Sequence, residues 1–182
     1  VSLGFDPLGI LRALTESGVR FVLIGGFAGN LRGTADVTQD LDVCYARDAA
    51  NLDAMVSALR GLDARLRVAR DPDADLPFVL EAETLRNGDT FTFVTSMGDL
   101  DIIGTPAGTA GYLDLHAAAE AFVAADGLTI LVASIDDLIR MKQASVRTKD
   151  LLHLEHLEAL RDEIERFRRE GLDPHQGSDP RG

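Results

Sequence analysis

The chain has 182 residues with 46% hydrophobic and 26% charged side chains, which suits one soluble globular domain able to bury a sizeable core. A net charge of −12 argues against broad, non-specific nucleic-acid binding, which needs a basic surface. No apolar run reaches the roughly 20 residues of a membrane span, no signal-peptide pattern opens the sequence, and one cysteine suits a reducing cytoplasm.

Leu8, Leu11 and Leu14 recur at helical spacing across Pro7 to Ser17, and Gly18 ends that first helix. VRFVLIGG then reads as a short buried strand running into glycine, and Phe27 to Leu31 leaves room for only about a turn and a half of helix. DLDVCY is the second strand, and Ala49 to Leu59 is a helix with Leu52, Met55, Val56 and Leu59 inward. RDPDADLP is an acidic, proline-marked loop. Three strands are predicted next, PFVLEAETL, DTFTFVT and DLDIIGT, with Asn87-Gly88 as a hairpin turn and Ser96-Met97-Gly98 turning into the third. Tyr112 to Ala121 reads as a short helix and LTILVAS as a last strand.

Ser134, with Asp137 three residues on, forms a capping box that opens a helix through Met141 and Lys142. A long final helix, about Lys149 to Glu170, keeps Leu151, Leu154, Leu157, Leu160, Ile164 and Phe167 on one stripe. The polar, Gly- and Pro-rich remainder reads as disordered. The pattern is α/β or α+β, one mixed twisted sheet flanked by helices. Its expected organisation is a core over 1–133, helices over 134–171 completing the same domain, and a tail over 172–182.

The chemistry concentrates at a few positions. In a strand, residues two apart share a face and lie roughly 6–7 Å from each other. Asp40 and Asp42 therefore stand together while Leu41 and Val43 pack on the other side. Such a pair repels unless a cation bridges it, and Mg²⁺ with its oxygen ligands is the natural guest; the plain alternative is a solvated edge-strand face. Gly25 and Gly26 end the first strand where backbone amides can approach a phosphate, or they simply make a tight turn. A dinucleotide-binding fold does not fit, because Gly33 and Thr34 interrupt the helix it requires between glycines and acid. In GDLDIIG, Asp99 and Asp101 again share a face; Asp101 lies deeper, and Asp99 is also ordinary turn chemistry. A third carboxylate on a neighbouring strand would complete a two-metal site.

The two lysines of the chain, Lys142 and Lys149, both fall in RMKQASVRTKD among sixteen arginines elsewhere and alongside. His153 and His156 have no cysteine beside them to make a zinc site and read as surface residues. Cys44 reads as a packed thiol. Arg166, Arg168 and Arg169 form a candidate RNA-contacting patch, although cations are favoured at a helix C-terminus anyway.

The order of helix, strand ending in Gly-Gly, short helix, D-x-D strand and a later strand with one buried acid resembles the polymerase-beta-type nucleotidyltransferase fold. LDIIGTPAGTAGYLDL followed by VASIDDLIRMKQASVRTKDLLHL resembles the AbiEii/MenT group of toxin nucleotidyltransferases, over about Gly18 to Leu160. The resemblance implies Asp40, Asp42 and Asp101 as ligands of Mg²⁺ or Mn²⁺. It implies Lys142 as the triphosphate-holding lysine with Arg147 assisting, and Asp150 as the structural or catalytic acid that orients the lysine region. Many relatives carry Gly-Ser where this chain has Gly25-Gly26, so Thr38 is expected to supply the missing phosphate-contacting hydroxyl. The implied reaction transfers NMP from an NTP to a hydroxyl, with a tRNA 3′ end as acceptor. The implied partner is an antitoxin that controls the enzyme, in some relatives by phosphorylating a hydroxyl beside the Asp pair, here Thr38. The alternatives are transfer to a protein or to an antibiotic such as an aminoglycoside, and a nucleotide-binding protein without activity.

Overall fold

The computed structural model describes residues 4–67, 78–124, 127–145 and 150–170, without the side chains of 150–153 and 155. Asp6 caps the first helix, α1 (Pro7–Glu16), by accepting from Gly9 N at 2.9 Å, and Pro7 sits at its first turn where no amide is needed. β1 (Phe21–Ile24) is buried throughout and passes straight into α2 (Gly25–Arg32). This helix starts two residues earlier than expected, because Gly25 at φ +71 makes the turn inside a single residue. β2 (Asp40–Tyr45) leads to α3 (Ala49–Gly61), whose N-cap Asp48 accepts from Asn51 N.

The two-residue β3 (Arg65–Leu66) follows, then α4 (Ala82–Asn87), β4 (Thr90–Thr95) and β5 (Gly98–Ile103). Next come α5 (Tyr112–Ala118), β6 (Glu120–Val123), β7 (Thr129–Val132), α6 (Ile135–Ser145) and α7 (Asp150–Glu170). The expected cap of α6 is present: Ser134 Oγ accepts from Asp137 N at 3.1 Å and donates to Asp137 Oδ2 at 2.8 Å.

The strands form one mixed sheet in the order β3-β4-β5-β2-β1-β7-β6. β2 and β5 run parallel, as do β1 and β7, and the remaining neighbours are antiparallel. Ile10, Leu11 and Leu14 of α1, Leu52, Met55 and Leu59 of α3, and Leu23, Leu41, Val43, Leu100 and Ile102 of the sheet are fully buried. Helices therefore flank a sheet whose central strands hold the core, as the sequence pattern requires.

Two expectations need correction. PFVLEAETL is not a strand: its described part runs irregularly into α4, and Asn87-Gly88 ends that helix instead of turning a hairpin. The ladder position beside β4 is already filled by β3, through Arg65↔Val94 and Leu66↔Phe93. The segment buries Leu85 from a helix instead, and a Cβ at Gly88 would meet the far edge of the Phe91 ring at 2.2 Å. Likewise the helix expected to reach Ala121 stops at Ala118, and Glu120–Val123 pairs with β7 as an edge strand. The acidic loop over 70–77 and the tail over 172–182 fall outside the described residues.

Candidate active site

The site is built where β1 ends and β2 and β5 run side by side. Parallel pairing sets Asp40 opposite Asp99 and Asp42 opposite Asp101, while the antiparallel β1 sets Ile24 opposite Asp42. Four carboxylates thus stand on one face of two adjacent strands, as period-two alternation demands. Asp42 is the most perturbed of them. Burial, then Asp40 and then Asp101 push its carboxyl up to about 7, against the pull of Lys142. Asp101 is also pushed up, by burial first; the neighbouring Thr92 hydroxyl and the charge of Arg67 oppose this, while Asp40 and Asp99 add to it. Arg67 pairs with Asp99 at 2.5 Å.

The glycines fit closely around this face. A Cβ on Gly25 would lie 2.0 Å from Asp42 Oδ2, so the backbone turn and the carboxylate occupy one space that no side chain can share. A Cβ on Gly26 would come within 3.2 Å of Thr38 Cβ and Oγ1. Thr38 Oγ1 in turn lies 2.9 Å from Asp40 Oδ1 and 3.1 Å from Asp40 O, so its hydroxyl is engaged with the carboxylate beside it. The loop carrying Thr38 is held by Asn30 Nδ2 donating to Asp36 O at 2.8 Å and by His156 Nδ1 at 2.8 Å from Asp36 Oδ1.

No family model matches the chain, and no curated protein matches it. Solved structures do. The lincosamide antibiotic adenylyltransferase LnuA, in a lincomycin-bound crystal structure, aligns over 84% of this chain and 94% of its own, with 16% identity and a TM-score of 0.56. The chain has the nucleotidyltransferase fold. Two further similar structures align less closely. ANT(2'')-Ia in complex with adenylyl-2''-tobramycin has 15% identity, a TM-score of 0.49 and 89% and 94% of the chains covered. A candidate nucleotidyltransferase of Thermotoga maritima has 16% identity, a TM-score of 0.48 and 87% and 90% covered.

Within this nucleotidyltransferase fold the expected site residues divide into three groups. Gly25, Gly26, Thr38, Asp40, Asp42 and Asp101 come together, and half-buried Lys142 approaches from α6 closely enough to act on Asp42. Arg147 and the Asp150 side chain fall outside the described residues, as do Lys149 and the His153 side chain. Arg166, Arg168 and Arg169 lie exposed on the last turns of α7. Arg166 there pairs with Glu163 at 3.6 Å, and Arg169 Nε donates to Glu165 O at 3.3 Å. Arg140 is tied to Asp114 at 3.0 Å and Asp137 at 2.7 Å. Cys44 is buried with its thiol pushed up to about 12 by burial first, consistent with a packed role.

Sequence reading missed Thr92 and Arg67. Thr92 had a visible signal, since TFTFVT alternates and Thr92 is the Cα partner of Asp101; the partnership itself is not in the sequence.

Among the described residues, no group of three or more His, Cys, Asp or Glu side chains is gathered tightly enough to hold a metal ion as the side chains stand. The donor chemistry nonetheless suits a hard divalent cation, which takes carboxylate oxygens. Asp101 Oδ1 is buried with no hydrogen-bond partner, and both Asp42 and Asp101 are short of compensating positive charge.

Proposed function

We propose that this protein is a nucleotidyltransferase that moves NMP from an NTP to a hydroxyl acceptor and releases pyrophosphate. The observation that carries the reading is the in-register pairing of β2 with β5, which makes Asp42 and Asp101 neighbours beside Gly25. In this reading Asp40, Asp42 and Asp101 hold Mg²⁺ or Mn²⁺. When bound, such an ion lowers the pKa of the acceptor hydroxyl and neutralises charge developing on the phosphates. The carboxylates orient that ion, and Thr38 holds Asp40 in place through its hydroxyl. Gly25 and Gly26, free of side chains at the start of α2, leave the backbone open to a phosphate oxygen. Lys142 stabilises the departing pyrophosphate as a compact point charge, assisted by Arg147, with Asp150 orienting that region.

The acceptor we favour is a tRNA 3′ end, with the protein acting in the cytoplasm as the toxin of a toxin–antitoxin pair. The reading is supported by the resemblance to the AbiEii/MenT group in the segments around Asp101 and Lys142. A second reading, transfer to a cationic antibiotic, is favoured by the carboxylates on this face and the net charge of −12. The lincomycin-bound LnuA structure has the same fold. Phosphorylation of Thr38 is the proposed control: it would place about two negative charges beside Asp40 and Asp42 and repel a triphosphate. A Thr38→Glu protein with full activity would count decisively against that control.

The test of function is incubation of the protein with Mg²⁺ and each labelled NTP, in parallel with total RNA, a whole-protein extract and an antibiotic panel. Label on tRNA that requires an intact 3′ end is the expected result. Label confined to an antibiotic or to proteins reassigns the acceptor, and NTP binding without transfer to anything removes the enzymatic reading.

A further inference from the structure

We propose that Thr92 is a positioning residue for Asp101, its hydroxyl holding the carboxylate so that one oxygen stays turned toward the cation position. This rests on the three-carboxylate reading above and assigns a role to a residue on a fourth strand. The sheet registers set Ile24, Asp42, Asp101 and Thr92 in one row across β1, β2, β5 and β4. Asp101 is therefore flanked by a second carboxylate on one side and by a hydroxyl on the other.

Alternation along β4 explains why the hydroxyl is there. Phe91 and Phe93 point to the opposite face, where their rings lie 6.2 Å apart and both pack near Phe78, and Phe93 is fully buried. Period two then commits Thr92 to the carboxylate face.

Thr92 faces Asp101 across the β4–β5 ladder, with its hydroxyl close enough to pull the raised carboxyl back down, and Asp101 Oδ1 is buried without any hydrogen-bond partner. A buried polar atom left unpaired is costly and calls for an explanation, such as a bound ion. The cation acting on Asp101 is Arg67, which is engaged at 2.5 Å by Asp99 and so serves Asp101 only through its charge. Thr92 is thus the neighbour that can fix the rotation of this carboxylate. The same device appears on β2's side of the site, where Thr38 Oγ1 lies 2.9 Å from Asp40 Oδ1. Hydrogen bonds behind metal-binding side chains typically set affinity by about 10–100-fold.

A threonine in a strand is also simply a good strand former, so the test must separate shape from hydroxyl. Thr92→Val keeps the branched shape and removes the donor, whereas Thr92→Ser keeps the donor. Mn²⁺ alone is titrated into nucleotide-free protein and followed by its electron paramagnetic resonance signal, with melting in EDTA as the control for folding. Thr92→Val should bind Mn²⁺ about tenfold more weakly, with a cooperative melt, while Thr92→Ser binds close to the unsubstituted protein. With activity as a second readout, Thr92→Val should raise the Mn²⁺ concentration needed for half-maximal transfer more than it lowers kcat. Unchanged Mn²⁺ affinity in Thr92→Val, or equal losses in the Val and Ser variants, overturns the inference. Asp42→Asn separates that failure from a deeper one. If it binds Mn²⁺ as well as the unsubstituted protein does, or if that protein binds none, the carboxylate site itself falls and Thr92 with it.

Discussion

Asp42 on β2 and Asp101 on β5 are Cα partners in a parallel ladder, and Asp42 responds by holding its proton up to about 7. Burial is the larger cause and the neighbouring carboxylates the next. Stability is thereby spent on a concentration of negative charge that the packing of the fold does not require. Such an arrangement is typical of a functional site.

The first prediction concerns pH. Asp42 has an ordinary value of 3.8 and a folded value of about 7. Between these the folded chain keeps a proton that the unfolded chain has released, so stability falls as pH rises through that window. The raised Asp101 acts with the same sign, whereas the lowered Asp48 and Asp114 act only in the acid range below their ordinary values. Urea denaturation in EDTA should show stability lower at pH 8 than at pH 5, by on the order of 2 kcal/mol. Asp42→Asn should flatten the profile and abolish transfer without unfolding the chain. A profile as steep as that of the unsubstituted protein would remove Asp42 as its source.

Lys142 provides the second. Lys142→Ala should reduce transfer about 10²–10³-fold through loss of charge on the leaving group. Lys142→Arg should recover only part, because a planar guanidinium does not replace a compact ammonium. Steady-state rates at saturating Mg²⁺ decide this, and full activity in the arginine variant would reduce Lys142 to general surface charge.

Gly25 and Gly26 should differ sharply although they are adjacent. Gly25→Ala introduces a Cβ 2.0 Å from Asp42 Oδ2 at a φ of +71. The backbone strain alone is about 1–2 kcal/mol, and the displaced Asp42 should cost transfer as well. Gly26→Ala meets only the Thr38 side chain at 3.2 Å, and should melt close to the unsubstituted protein. Comparable melting temperatures for the two variants would mean that the β1–α2 turn is not as tight as described.

The arginines at the end of α7 test the acceptor. Replacing Arg166, Arg168 and Arg169 with Gln should weaken tRNA use and lower the salt slope of tRNA binding by up to about 3. NTP binding should be unaffected, because these side chains lie at the opposite end of α7 from its Asp150 start. Equal tRNA affinity before and after substitution, across a salt series, would dismiss this patch as a contact.

What the sequence determined by itself was local. Period-two alternation in DLDVCY and GDLDIIG marks two strands and which of their residues share a face. Ser134 and Asp137 mark the start of α6, and glycines mark the ends of α1 and α2, because capping and backbone freedom act within a few residues. Resemblance added the fold, which the LnuA superposition bears out. Tertiary structure decided the rest. PFVLEAETL carries a strand-like pattern, yet β3 had taken the place beside β4, so the segment became α4. Tyr112 to Ala121 reads as one helix, yet β7 had an open edge that Glu120–Val123 could pair with. The adjacency of Asp42 to Asp101, and of Asp101 to Thr92, likewise depends on which strand lies beside which and in what register. Ladder hydrogen bonds form between segments far apart in the chain, and alternation says which face a residue takes but not who faces it.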